Sequence, residues 1–444
     1  MKKQNIIAVC LLLGTFGAQA QTISTVAGNG TAGFSGDGGA ATSAELLTPI
    51  GVSMDASGNM YIADQHNNCV RKVNATGIIS TFAGNGTLSG LGFQFGGDGG
   101  PAVSAYLYQP YRTAADGSGN VYIIDQGNWR VRKVNASGTI STFAGNGTSG
   151  YTGDGGAATA AEIVAGGITT DAAGNVYIGA SSCIRKISTS GIITTIAGNP
   201  TIAGYSGDGG PATAAEFNNA NDLAFDAAGN LYICDQARIR KINTSGIIST
   251  IAGNGTTGIT GNGGPATAAT VDPTGIAIDA SGDIYFAQTN EQIIRKIDAA
   301  GVISLYAGNG SMGFSGDGGA ATSAEFTFPG DVALDGSGNL YIADQNNNRI
   351  RKVGSTSTLI TPVTAATFSV QTYPNPIGET FTVNISSPQD EQAEIVITNA
   401  LGEKIKEVHT LTNTSDNIAL SVPAGIYFLF VKTATGQWCG KLCR

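Results

Sequence analysis

The stretch from Gly301 to Val353, GVISLYAGNGSMGFSGDGGAATSAEFTFPGDVALDGSGNLYIADQNNNRIRKV, decides the fold because the chain repeats this unit six times. Hydrophobic and polar residues alternate over 302–306, 332–334, 340–343 and 349–353, and clusters of Gly, Asn and Asp separate these runs. Such alternation is typical of half-buried strands that are joined by tight turns. Each unit therefore predicts four short antiparallel strands, which is one blade of a propeller.

The register of the repeat is set by the tripeptide Ala-Gly-Asn, whose copies lie 53 to 61 residues apart. They begin at Ala27, Ala83, Ala144, Ala197, Ala252 and Ala307. Blades of this size bury their faces by stacking around an axis, so the sequence predicts an all-β fold with a six-bladed β-propeller of four-stranded blades. No blade precedes the strand at 22–27, and we predict that this strand completes the sixth blade.

Composition narrows the class of partner. The chain has 444 residues, a net charge of -9 and 65 glycines, with a sequence pI near 4.7. A nucleic-acid partner is not expected, because phosphate binding needs a basic stripe.

The N-terminal residues predict a signal peptide over 1–20, cleaved after Ala20. The evidence is Lys2 and Lys3, the apolar run 6–16 and the sequence Ala18-Gln19-Ala20. No other apolar stretch is long enough to predict a transmembrane segment.

An Asp-x-x-Gly-Asn motif, such as Asp116 to Asn120, recurs in every unit, with Asp283 in place of Asn in the fifth. A calcium loop and a hairpin turn are the two interpretations. The turn is favoured because Ala172 and Ala173 offer no side-chain oxygen, and the bidentate Glu that such a loop requires is missing. No cofactor is predicted, although a carboxylate-bound Ca²⁺ stays open.

Two further motifs are interpreted structurally. A Gly-Asp-Gly-Gly sequence follows each outer strand, with Asn262 replacing Asp in the fifth unit, and its Asp is expected to be a hydrogen-bond acceptor. Pro211 and the small residues after it predict a helical turn that starts at Pro211. Arg71 and its five counterparts are expected to pair with the Asp that ends the neighbouring strand, as at Asp64.

The cysteines and histidines limit the chemistry. Cys69, Cys183 and Cys234 are predicted to be buried thiols, whereas Cys439 and Cys443 are candidates for a disulfide. His66 and His409 are the two histidines, so the sequence contains no multi-His zinc site. No catalytic residue is predicted, and the chain is more readily explained as a binding protein than as an enzyme.

The last repeat, from Pro329 to Val353, resembles the NHL repeat, and the other units carry the same signature more loosely. The resemblance covers about 22–353 and implies a six-bladed propeller of NHL-type blades. NHL proteins bind proteins or RNA, act at cell surfaces, or are metal-dependent lyases or lactonases, so the resemblance leaves binding and catalysis open.

The C-terminal residues break the repeat. After a Ser/Thr-rich linker at 354–366, strand patterns at 381–385, 393–397, 418–422 and 426–431 predict a small β-sandwich over 367–444, and the propeller is assigned to 21–353. Tyr373-Pro-Asn-Pro376 and the other motifs of this region resemble the type A sorting domain of the type IX secretion system of Bacteroidetes. The resemblance implies that the partner is the secretion machinery, and that the protein is secreted or attached to the outer-membrane surface of a Gram-negative bacterium.

The second unit departs most from the others, and we expect a ligand-specific surface at such departures. Aromatic residues beside amides suit an extracellular glycan or an extended peptide of a protein ligand. The candidate residues, all expected on one end of the propeller, are Tyr108, Tyr111, Trp129, Gln65, Gln126, Gln236 and Gln345. In the alternative interpretation these tyrosines pack under the connection 88–97 and the amides are only solvated. An architectural surface protein is the third hypothesis, after a binding propeller and a metal-dependent lyase or lactonase.

Overall fold

A computed structural model describes residues 21–86, 95–354, 368–375, 377–399, 404–423, 425–433 and 437–444. The predicted signal peptide, most of the connection 88–97 and nearly all of the predicted linker lie outside these residues. The chain divides into two compact units, one within 20–355 and the other within 356–444. Each unit is described separately.

The described residues of the first unit form six four-stranded antiparallel sheets, or blades. The first strand of the chain is β1 (Thr22–Ala27). Blade 1 consists of β2 (Pro49–Met54), β3 (Met60–Asp64), β4 (Cys69–Val73) and β5 (Ile79–Ala83). Blade 2 consists of β6 (Pro110–Ala115), β7 (Val121–Asp125), β8 (Arg130–Val134) and β9 (Ile140–Ala144). Blade 3 consists of β10 (Gly167–Thr170), β11 (Val176–Ala180), β12 (Cys183–Ile187) and β13 (Ile193–Gly198). Blade 4 consists of β14 (Ala220–Phe225), β15 (Leu231–Asp235), β16 (Arg238–Ile242) and β17 (Ile248–Ala252).

Blade 5 consists of β18 (Gly275–Ile278), β19 (Ile284–Gln288), β20 (Ile293–Ile297) and β21 (Ile303–Ala307). Blade 6 consists of β22 (Pro329–Leu334), β23 (Leu340–Asp344), β24 (Arg349–Gly354) and β1.

The first strand of each blade is its inner strand, and these strands contact one another in sequence, including β22 with β2. The fourth strand of blade 6 is β1, which pairs antiparallel with β24 from Thr22↔Gly354 to Ala27↔Ile350. The prediction that the N-terminal strand completes the sixth blade is confirmed. The open edge of β24 is thereby covered.

Hydrophobic cores lie between neighbouring blades. The buried clusters combine residues of blades 1 and 2, 2 and 3, 3 and 4, 4 and 5, 5 and 6, and 6 and 1. Ile23 of β1 belongs to the cluster of blades 5 and 6, whereas Ala27 belongs to that of blades 6 and 1. Cys69, Cys183 and Cys234 are buried free thiols, as predicted.

The Asp-x-x-Gly-Asn motifs join inner and second strands and define what we call the turn end of the propeller. In blade 1, Asp55 Oδ1 accepts the backbone N–H groups of Ser57 and Asn59, both at 2.9 Å. Its Oδ2 accepts from the Asn59 amide at 2.7 Å and from the Tyr61 hydroxyl at 3.0 Å. Both oxygens are used inside the turn, which agrees with the turn interpretation.

The connection from one blade to the next is fixed to the blade that it enters. Arg71 is 3.6 Å from its expected partner Asp64, but it is closer, at 2.6 Å, to Asp37 of the Gly-Asp-Gly-Gly motif, which was expected only to accept hydrogen bonds. A helical turn does follow the motif, but it is a 3₁₀ turn. Its helical residues are 41–43, 102–104, 158–160, 212–214, 266–268 and 321–323. Pro211 is wrongly placed by the prediction: it caps the turn with extended backbone, at φ -61 and ψ 132.

The opposite end, which we call the loop end, carries the turns between second and third strands. Three of these turns include a short 3₁₀ segment, at Gln65–Asn67, Gln126–Asn128 and Gln345–Asn347. In the part of the chain that is described, none of the helical segments is long and apolar enough to span a membrane.

The second unit is a two-sheet sandwich, as predicted. Its strands are β25 (Ser369–Tyr373), β26 (Thr380–Ser386), β27 (Gln392–Asn399), β28 (Lys404–Leu411), β29 (Ser415–Ala419), β30 (Ile426–Thr433) and β31 (Gln437–Cys443). The sheet orders are β25-β26-β29 and β28-β27-β30-β31. Cys439 and Cys443 lie in the same strand, where four residues span about 13 Å. This backbone does not fit the predicted disulfide between the two residues, because bridged Cα atoms are at most about 7 Å apart.

Candidate functional site

One layer of side chains crosses the channel that the inner strands surround. Corresponding positions of the six inner strands hold Gly51, Arg112, Gly167, Asp222, Gly275 and Asp331. Charged residues thus alternate with glycine, and we call these six residues the channel layer. A Cβ on Gly167 would lie 2.6 Å from Asp222 Cα, and one on Gly275 2.7 Å from Asp331 Cα, so glycine permits the close approach of neighbouring inner strands.

Arg112 of blade 2 reaches carbonyl groups of the four blades that follow it. Its Nη1 donates to Gly166 O at 3.2 Å and to Asn221 O at 2.8 Å. Its Nη2 donates to Thr274 O at 2.8 Å and to Gly330 O at 3.2 Å. The guanidinium therefore lies across the axis, and the residue is only 3% exposed.

Two carboxylates of the channel layer complete the contact. Arg112 Nε is 3.6 Å from Asp222 Oδ1 and 3.5 Å from Asp331 Oδ1. Asp222 Oδ2 accepts the Ile276 N–H of blade 5, and Asp331 Oδ2 accepts the Val52 N–H of blade 1, both at 3.0 Å. Hydrogen bonds and ion pairs that begin at one arginine thus connect all six blades.

The channel layer does not fit a metal ion. Burial raises the pKa of Asp222 to about 7 and also raises that of Asp331, although Arg112 opposes both shifts. The guanidinium occupies the position between the carboxylates that a cation would need. No group of three or more His, Cys, Asp or Glu side chains with metal-site geometry occurs among the described residues.

The raised pKa values predict that the propeller is more stable in mild acid. Burial raises the pKa of Asp64, Asp125 and Asp344 to about 6, in addition to that of Asp222. Between pH 4 and 7 these carboxyl groups bind protons in the folded state but not in the unfolded state, so the free energy of unfolding falls as pH rises. We expect the melting temperature at pH 5 to exceed that at pH 8 by about 4 °C or more.

Calorimetry across pH 5 to 8 measures this dependence. Aspartates with a lowered pKa, such as Asp55, lose their stabilising contribution only as pH falls below about 4, outside this range. Asp222→Asn imitates the protonated carboxyl and should flatten the pH profile. A melting temperature that is constant or rises with pH would contradict the expectation.

A cavity of about 360 Å³ lies in the channel and extends from the channel layer toward the turn end. Its wall comes from the inner strands, with Met54, Ala115, Thr170, Phe225, Ile278 and Leu334 at the turn end. Inner strands are sheet edges, so their unpaired backbone groups make this wall polar.

On the other side of the channel layer, toward the loop end, two sets of residues surround the axis. The mouth residues precede the channel layer and are Ile50, Tyr111, Gly166, Asn221, Thr274 and Gly330. The second set follows the second strands and consists of Gln65, Gln126, Ser181, Gln236, Thr289 and Gln345. The sets are in contact: the hydroxyl groups of Thr274 and Thr289 are 2.7 Å apart, and a Cβ on Gly330 would be 3.5 Å from Gln345 Oε1.

All four predicted glutamines therefore lie around the same end of the channel. Gln65, Gln126 and Gln345 are half-buried and Gln236 is exposed. Within the described residues, none of their side-chain amides forms a hydrogen bond with the protein. Their donors and acceptors are available to a ligand.

The predicted aromatic residues are divided. Tyr111 is a mouth residue whose ring centre is 5.3 Å from the Arg112 guanidinium. Tyr108 instead packs on Gly127, where a Cβ would be 2.2 Å from its ring. Trp129 is half-buried and has a φ of 51. The equivalent residue of blade 1 is Asn68, whose side chain accepts a hydrogen bond from the backbone of the connection that enters blade 2. Sequence reasoning did not identify Arg112 as a residue of the channel layer.

Comparison with known families gives matches within both units. Residues 371–443 match the Secretion system C-terminal sorting domain, residues 326–353 match the NHL repeat, and residues 21–92 and 197–260 match the Teneurin NHL domain. Both resemblances drawn from the sequence are confirmed. The sorting domain indicates secretion or attachment to the cell surface.

Individual curated proteins and solved structures also resemble this chain. Teneurin-1 of Gallus gallus is 29% identical over 382 residues, an alignment covering 76% of this chain and 14% of that protein. The chain thus spans about a seventh of the curated relatives it matches. A protein of unknown function from Bacteroides thetaiotaomicron has a TM-score of 0.55 at 18% identity, over 76% of both chains. An auxiliary nutrient binding protein of the same organism has a TM-score of 0.53 at 15% identity, over 75% of this chain and 76% of that chain.

Proposed function

Because the chain carries NHL repeats followed by a type IX secretion sorting domain, we propose that it is a secreted or surface-attached propeller that binds a glycan at its loop end. The observation that carries the proposal is the set of four glutamine side chains that surround the closed mouth of the channel without a hydrogen-bond partner among the described residues. An extended peptide is the second ligand class that such amides suit.

The chemistry of the mouth supports a neutral, hydroxyl-rich ligand. Each glutamine amide offers two N–H donors and a carbonyl acceptor, which match sugar hydroxyl groups. Tyr111 adds an aromatic surface, and the hydroxyl of Thr274 lies in the same ring of mouth residues. Because Arg112 crosses the axis, the ligand would lie on the loop end instead of entering the channel.

A metal-dependent lyase or lactonase is the alternative that the NHL resemblance implies. Such an enzyme needs metal ligands that converge on the channel, and here an arginine lies between the two channel carboxylates. The described donor set therefore does not fit that chemistry.

The mature protein should bind a subset of glycans on a glycan and peptide array, and the bound glycan then serves as the probe for variants. Removing the amides in Gln126→Ala/Gln345→Ala is expected to weaken binding about tenfold or more, since each lost hydrogen bond costs about 1 kcal/mol. Trp129→Ala tests the neighbouring aromatic residue in the same assay.

Gln371→Ala, an exposed glutamine of the sandwich unit, is the matched control and should leave the affinity unchanged. Glycan binding that survives both the double amide substitution and Trp129→Ala would show that the ligand lies elsewhere. Absence of any array hit would remove support for the proposal.

A further inference from the structure

Exposed aromatic rings recur on the connections between blades. The position three residues before the Asp of Gly-Asp-Gly-Gly, or before Asn262, holds Phe34, Phe95, Tyr151, Tyr205, Ile259 and Phe314. Phe34, Phe95, Tyr205 and Phe314 are each 40–43% exposed. An aromatic ring kept this accessible at the same place in several blades requires an explanation.

A second feature divides these positions into two kinds. The first residue of the third strand is Arg130, Arg238 and Arg349 in blades 2, 4 and 6, but Cys69, Cys183 and Ile293 in blades 1, 3 and 5. The guanidinium carbon lies 3.8 Å from the ring centre of Phe95, 3.5 Å from that of Tyr205 and 3.7 Å from that of Phe314. Every second blade thus carries an arginine stacked on an exposed ring, and we call each pair a rim platform.

Among the residues that the structure describes, the arginines of the rim platforms are cations without an ion-pair partner. Among the described residues no carboxylate lies within 4 Å of Arg130, Arg238 or Arg349. Arg349 donates to Asn347 O at 3.1 Å and to Asn29 O at 2.7 Å, which leaves further N–H groups of its fork unused. Three half-exposed unpaired arginines are notable in a chain whose net charge is -9.

Shielding of the buried ion pairs does not explain these arginines. In blade 1 the ring of Phe34 covers the buried Arg71, at 4.8 Å, although Cys69 stands where a rim arginine would be. In blade 6 the ring of Phe314 covers the corresponding Arg351 at the same 4.8 Å. The ring alone provides the cover, so the additional arginine in blades 2, 4 and 6 is not needed for that purpose.

We propose that the three rim platforms bind carboxylate-bearing sugar residues of an anionic polysaccharide. The exposed part of the ring packs on the apolar face of a pyranose, while the neighbouring guanidinium forms paired hydrogen bonds to the uronate carboxylate. Each rim arginine begins its third strand directly after a loop-end turn, so the three platforms occupy one end of the propeller. A long polymer engages several platforms at once, which multiplies the affinity of each.

The test uses the mature protein with polygalacturonate as the probe, and with neutral dextran and polyglutamate as comparison polymers. Arg130→Gln, Arg238→Gln and Arg349→Gln are each expected to weaken polygalacturonate binding about tenfold, and the triple variant about a hundredfold or more. Binding should also weaken steeply as salt is raised. Blades 4 and 6 are decisive because their connections are described in full.

The chain offers a matched control. Phe34→Ala and Phe314→Ala remove equally exposed rings, but only Phe314 stands on a rim arginine, so Phe314→Ala should weaken binding and Phe34→Ala should not. Melting temperatures of all variants exclude unfolding as the cause.

The proposal extends the binding role to residues other than the mouth glutamines, and the two fail separately. Binding that depends on the rim arginines and not on Gln126 and Gln345 supports the rim platforms alone. Three results would overturn them: affinity for dextran equal to that for polygalacturonate, equal affinity for polyglutamate, or retention of binding by the triple variant.

Discussion

Replacement of Arg112 by methionine is expected to lower the melting temperature of the propeller by about 10 °C, although methionine retains the aliphatic part of the side chain and is well tolerated in protein interiors. The substitution leaves Asp222 and Asp331 buried without a cation, and the loss of one partner from a buried ion pair costs about 3–5 kcal/mol. It also removes the four hydrogen bonds to carbonyl groups of blades 3 to 6. Calorimetry of the mature protein measures the effect.

A compensated variant separates lost charge balance from lost cross-blade bonding. Arg112→Met combined with Asp222→Leu and Asp331→Leu removes all three charges, and apolar replacement of a buried ionic cluster is often neutral. We expect this triple variant to regain most of the stability. Arg130→Gln, which changes a rim arginine of the same blade, should melt within about 2 °C of the parent. A single Arg112→Met variant as stable as the parent would show that the channel layer does not hold the blades together.

The blade architecture could be predicted because its determinants are local and repeated. Strand alternation, the turn motif and the connection motif each occur in every unit, so the register of one unit supports that of the next. Closure by β1 followed from the same logic, since a strand pattern at 22–27 without a preceding blade needs a partner. In Pro211 the prediction was off by one position, because the proline ring suits both the cap and the first helical residue.

The channel layer could not be predicted in the same way because it depends on single departures from the repeat. Arg112, Asp222 and Asp331 are separated by 110 and 109 residues in the chain, and they meet only when the ring has closed. One signal was available: alignment of the inner strands shows charge and glycine alternating at one position. Tyr108 illustrates the opposite case, since an aromatic residue in a divergent unit serves local packing on Gly127.

The alternation of odd and even blades links the two features that distinguish this propeller. Charged residues of the channel layer and arginines of the rim platforms both occur in blades 2, 4 and 6. Odd blades supply glycine at the axis and a small or apolar residue at the rim. The six blades thus form three pairs, and the even blades carry equivalent arginines at the rim, although at the axis blade 2 has Arg112 where blades 4 and 6 have Asp222 and Asp331.

Substitution of Ile23 by aspartate is expected to lower the melting temperature by at least about 8 °C, because the first strand of the chain is the last strand of the ring. Ile23 is fully buried among residues of blades 5 and 6, and a charge there has no partner. Its backbone also joins the connection of blade 6, donating to Gly319 O at 3.1 Å and accepting from Gly318 N at 2.8 Å.

Ser24→Asp is the matched control: it puts the same charge on the next residue, which is exposed, and should change the melting temperature by less than about 2 °C. Deletion of 21–30 should destabilise at least as strongly as Ile23→Asp, since it exposes the whole edge of β24. Equal melting temperatures for Ile23→Asp and Ser24→Asp would mean that β1 is not bound to blade 6 in solution, and the ring would then have to close without it.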